Sequence, residues 1–316
     1  LAMGNACVLK PAEEACLTAL AFARIAEAAG LPAGALNVVP GLGEEAGAAL
    51  SAHAGVRHIS FTGSVQVGSL IQAAAARHAV PVTLELGGKS PQIVFADANL
   101  DDALPVIVNA IVQNAGQTCS AGSRLLVEAS AYERVLEAVG ARIATLKVGP
   151  AVLDFDVGPL IRASQLQRVE GFLADAKASA MRSIAQGSIA PESPATGFYA
   201  RPTLIADVPM EAPLACDEVF CPVLAAMPFR DEADAIRLAN GTEYGLVAGV
   251  WTENGGRGLR MARAIRSGQV FINNYGAGGG VELPFGGVKS SGYGREKGFE
   301  ALYGFSVMKT VVIRHG

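Results

Sequence analysis

Short apolar runs rich in Val, Ile and Leu alternate along the chain with longer stretches in which apolar residues recur every three or four positions. The first pattern has the period of a strand and the second that of an amphipathic helix. Over the first ninety residues this gives "ACVLK", a helix from Ala12 to Ala29, "LNVVP", a short helix, "HISF", another helix and "VTLEL". That βαβ rhythm predicts a parallel sheet covered by helices. Pro11 and Gly30 are the start and stop signals of the first helix.

From about Gly88 a second α/β unit begins. It reads "QIVF", a helix through Leu104 to Ala115, "RLLVEA", a helix from Tyr132 to Leu146 and one around Gln165 to Lys177. The stretch "GSIAPESPATG" has the composition of a loop, and "YARPTLIADV" reads as extended. Near the end come the strand "QVFINN", the Gly-rich "GAGGGVELPFGGVKSSGYG" and the apolar run "SVMKTVVIR". An apolar strand at a terminus exposes a sticky edge, so this last run is expected to pair with something. The chain opens in the middle of what reads as a strand, so we expect it to be part of a longer polypeptide.

Composition narrows the function classes. The 316 residues are 51% hydrophobic and 17% charged, with a formal net charge of −4. That is a globular balance, without the massed basic residues that nucleic acid or an anionic membrane surface would need. No apolar run is long enough to span a bilayer, since "LTALAFARIAEAAG" is interrupted by Arg24 and Glu27. Five cysteines at irregular spacing do not form a disulfide framework and suggest a reducing, cytoplasmic setting. The four histidines lie far from Cys216 and Cys221, so no metal site is expected.

Five stretches could carry chemistry. "GQTCSAG" sets Cys119 among small residues, where backbone amides and a substrate can approach, although a lone cysteine is by default a small core residue. "LELGGKS" ends an apolar strand on Glu85, where a carboxylate is ordinarily avoided, and two glycines follow to turn the chain. Such a group has a raised pKa and suits a general base; the alternative is a strand-end Glu turned to solvent. "ISFTGSVQVG" leads from a strand through Gly63 and Ser64 into a helix bearing Gly68, a place for an anion or simply a capped helix. "LKPAE" puts Lys10 and Glu13 at the strand end where α/β sheets bind ligands, although a solvated pair reads as well. "GLGEEAG" has the wrong spacing for a dinucleotide fingerprint and carries two acidic residues, so we read it as a turn leading into a helix.

Together these segments resemble the aldehyde dehydrogenase superfamily of the hydrolytic type, from Leu1 to the end of the chain. "LELGGKS" and "VQNAGQTCS" match its glutamate and cysteine patterns, supported by "KPAE", "FTGS", the Glu218 and Phe220 pair and "PFGGVKSSGYGRE". The resemblance implies a partial Rossmann-like cofactor domain over 1–87, an α/β catalytic domain over 88–287 and a return segment over 288–316 with an oligomerisation strand at 306–315. It further implies that Cys119 attacks the aldehyde and that Glu85 activates the water that hydrolyses the thioester. Lys10 and Glu13 would hold the adenosine ribose, Gly63 and Ser64 the pyrophosphate, and Glu218 and Phe220 the nicotinamide side. Gly68, Leu86 and Gln165 complete the implied cofactor contacts, and the Cys119 amide supplies half of an oxyanion hole. Glu13 favours NAD, with NADP possible, and the terminal strand implies a homo-oligomer, dimeric or tetrameric.

Two departures qualify that picture. Family members carry a long upstream region that includes the asparagine completing the oxyanion hole, so the alternative reading of this chain is an inactive remnant that binds nucleotide or pairs with a subunit. Cys221 stands where relatives usually have glycine, either as a small-for-small change or as a redox-sensitive thiol. Small residues at Gly276, Ala277 and Gly278 suggest a roomy entrance and a bulky aldehyde.

Overall fold

The computed structural model describes residues 1–276 and 280–316 and divides into two compact units. The first contains Leu1–Glu85, Gly279–Phe285 and Tyr293–Gly316; the second contains Leu86–Gly278 and Gly286–Gly292. Ala277 and Gly278, two of the three small residues read as a roomy entrance, lie outside the described residues.

The first unit is built from two alternating sequence signals, strand period then helix period. Strand β1 (Cys7–Leu9) pairs in parallel with β2 (Leu36–Val38), and helix α1 (Cys16–Ala28) connects them. Short α2 (Ala48–Ser51) follows a single wide turn over Gly43–Gly47, so "GLGEEAG" is a turn leading into a helix. Strand β3 (Ile59–Thr62) then pairs in parallel with β4 (Val82–Glu85) across helix α3 (Val65–Ala76). Gly30 ends α1 at φ +91°, and the amides of Gly30 and Leu31 donate to the carbonyls of Glu27 and Ala26. These two bonds form the reversed cap that needs a residue without a Cβ penalty. No residue of α1 is buried.

The second unit holds the main core. Strands β5 (Pro91–Val94), β6 (Arg124–Glu128), β8 (Arg182–Gln186), β10 (Thr203–Ala206), β11 (Val223–Phe229), β12 (Val247–Trp251) and β13 (Gln269–Ile272) form one sheet in the order β13-β12-β5-β6-β11-β10-β8. All neighbours are parallel except β10 and β8. A small parallel pair, β7 (Lys147–Val148) with β9 (Ser188–Ile189), stands apart and falls partly in the stretch read as loop. Strands β5 and β12 are buried along their whole length, as parallel strands covered on both faces are. Helices α4 (Leu100–Val112), α5 (Tyr132–Ala144), α6 (Ala163–Ala178), α8 (Glu232–Asn240) and α9 (Gly255–Ala264), with the single turn α7 (Pro213–Cys216), supply the rest.

Residues 306–316 hold no strand in this chain, and Val307, Met308 and Val312 are 96%, 93% and 87% exposed. A strand is defined by a second backbone that takes up its amides and carbonyls, and no segment of the described chain offers one to this run.

Candidate active site

The cysteine loop is shaped by an unusual piece of backbone. After α4 ends at Val112, Asn114, Ala115 and Gly116 all take left-handed conformations, with φ of +52°, +55° and +73°. Asn and Gly tolerate this region, whereas Ala does so only under constraint. Asn114 supplies part of that constraint: its Nδ2 donates to the Gln117 carbonyl at 3.0 Å, and Gln117 Nε2 donates to the Asn114 carbonyl at 3.1 Å. Gln117 Oε1 in turn accepts the Ile161 amide at 2.9 Å. A Cβ built on Gly116 would fall 2.3 Å from the Cys221 carbonyl carbon, so only glycine fits there. The reversal delivers Thr118, Cys119 and Ser120 just ahead of β6, with Cys119 half-buried.

The glutamate loop meets the cysteine loop through its glycines. A Cβ on Gly88 would lie 2.3 Å from the Cys119 carbonyl oxygen, and one on Gly87 would lie 2.4 Å from Glu218 Oε2. The Gly88 amide donates to Glu218 Oε1 at 2.9 Å. Burial pushes the Glu218 carboxyl above its usual range, against the pull of that amide and of Lys89 and Arg168. Ser291, from "PFGGVKSSG", clamps the same loop: its hydroxyl donates to the Gly87 carbonyl at 2.6 Å and accepts the Gly245 amide, while its carbonyl accepts the Leu86 amide.

Gln165 reaches the same place from α6. Its Nε2 lies 2.9 Å from the carbonyls of both Val219 and Phe220 and 3.3 Å from Cys221 Sγ. Its amide is thus committed to fixing the turn on which Phe220 sits, at φ +58° and 37% exposed. Arg168, one turn later, donates to the Glu218 carbonyl at 2.8 Å. Cys221 is 2% exposed, and burial pushes its thiol up to about 11. A thiol so placed stays protonated and packs, as a small-for-small change would.

In this second unit the structure therefore brings together Cys119, Leu86, Gly88, Glu218, Phe220 and Gln165. All but Gln165 stand at the N-terminal ends of parallel strands, the opposite edge from the one where open α/β sheets usually bind ligands. Sequence reasoning missed three supports. Ser291 is one. Arg124, wholly buried, donates to the carbonyls of Lys89, Leu238 and Ala239 at 2.9, 2.7 and 2.8 Å. Lys89 is 1% exposed with an amine that meets no hydrogen-bond partner among the described residues, and burial with the neighbouring Arg124 charge lowers its pKa to about 7. The readable signal for Lys89 and Arg124 is a cation at the start of an apolar strand, directly after a glycine or serine turn.

The first unit places the other predicted residues in two groups. Lys10 Nζ lies 2.7 Å from Glu13 Oε1 at the end of β1, and this bond lowers the Glu13 pKa. Gly43 lies alongside, where a Cβ would come within 3.7 Å of that same oxygen. At the end of β3, the Gly63 amide donates to the Glu85 carbonyl, and Ser64 caps α3 by accepting the Val67 amide on its hydroxyl. Gly68 is buried in the first turns of α3. Glu85 closes β4 only 2% exposed, and both of its carboxylate oxygens have no hydrogen-bond partner among the described residues. Burial, reinforced by the Glu296 charge and partly offset by Arg295, raises its pKa to about 8. Among the described residues no cluster of three or more His, Cys, Asp or Glu could hold a metal ion, and no helix is long and apolar enough to cross a membrane.

The aldehyde dehydrogenase family model matches residues 1–311. The hydroxyisobutyraldehyde dehydrogenase of Mycolicibacterium austroafricanum is 42% identical over 314 residues, covering 99% of this chain and 62% of the relative. A crystal structure from Burkholderia cenocepacia, assigned to the aldehyde dehydrogenases, superposes with a TM-score of 0.98 at 63% identity and covers 99% of this chain and 66% of that one. An NAD+ complex of the Bacillus cereus aldehyde dehydrogenase superposes at 0.90 with 39% identity, covering 95% of this chain and 60% of that one. The chain spans about 62% of the length of the curated relatives it matches. The chain belongs to the aldehyde dehydrogenase family.

Proposed function

We propose that this chain carries the catalytic thiol and much of the cofactor site of an enzyme that oxidises an aldehyde to a carboxylic acid with NAD+. The observation that supports this most directly is the packing of Gly88 against the carbonyl of Cys119 with its amide on Glu218, which joins three of the family's motifs in one place. Cys119 adds as a thiolate to the aldehyde carbon and gives a thiohemiacetal; loss of hydride leaves a thioester. Glu85 takes a proton from water, the hydroxide attacks the thioester, and the acid leaves as the thiolate is restored.

The residues present suit a dinucleotide. Glu13, already held by Lys10 beside Gly43, offers carboxylate oxygens to ribose hydroxyls, and its charge disfavours a 2′-phosphate, hence NAD over NADP. The amides at the start of α3, with Gly63 and Ser64, suit a pyrophosphate. Glu218 and Phe220 suit the nicotinamide half, with Gln165 as a positioning residue for Phe220. When bound, NAD+ supplies the hydride acceptor. The exposed run at 306–315 suits pairing with another subunit of a cytoplasmic homo-oligomer.

NADH formation across a panel of aldehydes, by this chain and by a longer polypeptide that includes it, tests the reading. Cys119→Ala is expected to abolish turnover in whichever form is active, and turnover that survives the substitution would refute the assignment.

A further inference from the structure

Within the second unit, Cys119 and Ser120 are the corner residues of a tight turn, closed by the Ala121 amide, which donates to the Thr118 carbonyl at 3.1 Å. The peptide unit that carries this amide also carries the Ser120 carbonyl. That oxygen accepts the Tyr275 hydroxyl at 2.7 Å, from a residue 155 positions further along the chain. The closing peptide is thus held at both ends, its N–H by Thr118 and its C=O by Tyr275. One residue earlier, the Cys119 carbonyl packs against Gly88, where no Cβ would fit.

Tyr275 is brought to this place by a fixed piece of backbone. Strand β13 ends at Ile272, and Asn273 takes a left-handed conformation, φ +49°, which Asn tolerates. Its carboxamide grips Thr252 twice: Oδ1 accepts the Thr252 amide and Nδ2 donates to the Thr252 carbonyl, each at 2.9 Å. The chain so turned lays the Tyr275 ring on Gly249 of β12, where a Cβ would come within 3.0 Å of Cδ2, and beside the Phe271 ring at 6.0 Å between centroids. Burial first, and then the Cys119 charge, hold the Tyr275 hydroxyl protonated well above its usual range, against the pull of the Ser90 hydroxyl. It therefore remains a donor at any pH where a thiolate forms.

We propose that Tyr275 is a positioning residue for the nucleophile: by fixing the peptide that closes the turn, its hydroxyl sets the aim of the Cys119 thiol and amide together. This rests on the reading of Cys119 as the nucleophile. It goes beyond that reading by assigning a residue, remote in sequence, on which the geometry of attack depends. Without the hydroxyl the buried Ser120 carbonyl loses its donor, and the peptide rotates towards a replacement. Attack on a carbonyl carbon needs the sulfur at the right angle and the Cys119 amide on the developing oxyanion. Alkylation by a small, freely approaching iodide needs only an available thiolate. The two reactions therefore separate aim from availability.

Tyr275→Phe removes one oxygen atom and is compared with the wild type in both reactions, neither of which needs a cofactor. p-Nitrophenyl acetate acylates the thiolate, the thioester C–S bond forming as p-nitrophenolate leaves. Iodoacetamide alkylates it with loss of iodide, followed across pH by mass spectrometry of the Cys119 peptide. In the variant the acylation rate is expected to fall by about 10–100-fold, the scale of a misplaced reacting group, while the alkylation rate and its pH midpoint stay unchanged. Undiminished acylation would overturn the inference, and so would equal losses in both reactions, the mark of a merely structural hydroxyl. Acylation that is absent from the wild type, in this chain and in a longer polypeptide that includes it, or that survives Cys119→Ala, would overturn the nucleophile reading and this inference with it. Hydrogen exchange in the wild type keeps the test decisive for a variant that fails to fold. The Ala121 amide is expected to exchange as slowly as those of β6, and exchange at the rate of an open loop would overturn the inference.

Discussion

At the scale of single residues, the most telling group is Glu85. A carboxyl with a folded pKa of about 8 is mostly protonated at neutral pH and becomes a base only as the pH rises. Deacylation of Cys119 after treatment with p-nitrophenyl acetate should therefore climb through about pH 8. In Glu85→Gln it should fall by about 100-fold or more, as expected when a general base is lost. A flat pH profile in the wild type would dismiss Glu85 as the base. The same burial carries a stability cost of known sign. Because the folded pKa is raised above 4.5, the native state binds more protons than the unfolded chain between about pH 4.5 and 8, so stability declines as pH rises across that window. Glu85→Gln should melt several degrees above the wild type at pH 7 and lose that advantage near pH 4. Lys89 is the mirror case. Its folded pKa is lowered from 10.5 to about 7, so its penalty is full below pH 7 and is relieved as the pH rises towards 10.5. Lys89→Met should stabilise the protein at pH 6, and the gain should shrink at pH 10, as denaturant midpoints at the two pH values would show.

At the scale of elements, the turns before the strands decide the site. Gly116→Ala would impose a left-handed alanine, at about 1–2 kcal/mol. It would also force a Cβ onto the Cys221 backbone, for about 1–3 kcal/mol more of overpacking. Gly171→Ala in α6, where a Cβ meets nothing within 4 Å, should instead stabilise by about 0.5–1 kcal/mol. Comparable losses at both glycines in urea titrations would show that position 116 has no special role. These elements also show what could be read in advance. The strands and helices of both units stood out because buried parallel strands and amphipathic helices leave a period in the sequence. Cys119 and Glu85 stood out because each violates its local pattern, a thiol in a glycine turn and a carboxylate ending an apolar strand. Ser291 did not, and Gln165 was legible only as an implied cofactor contact and not as the support of the Phe220 turn, because these roles lie in hydrogen bonds to residues 204 and 54–56 positions away, and no local period encodes such bonds.

At the scale of the whole molecule, the two units differ in how much core they own. The contiguous buried cluster runs from Ile93 to Ile265 and belongs entirely to the second unit. Among the described residues of the first unit only Ala75, Leu84 and Ala301 are buried hydrophobics, while Leu17, Phe22 and Ile25 of α1 are 79%, 57% and 64% exposed. Helices of this length derive most of their stability from a packed apolar face, which α1 lacks in this chain. Native-state hydrogen exchange on the isolated 316-residue chain should reflect that contrast. Amides of β5, β6, β11 and β12 should be protected up to the global unfolding free energy, whereas those of α1, β1 and β2 should exchange through local opening with little protection. The same exposed faces should make the chain self-associate at micromolar concentration, visible by light scattering, and Leu17→Glu/Phe22→Glu/Ile25→Glu should reduce that association. Uniform protection across both units in a monodisperse monomer would mean that the first unit is held by interactions other than its own core.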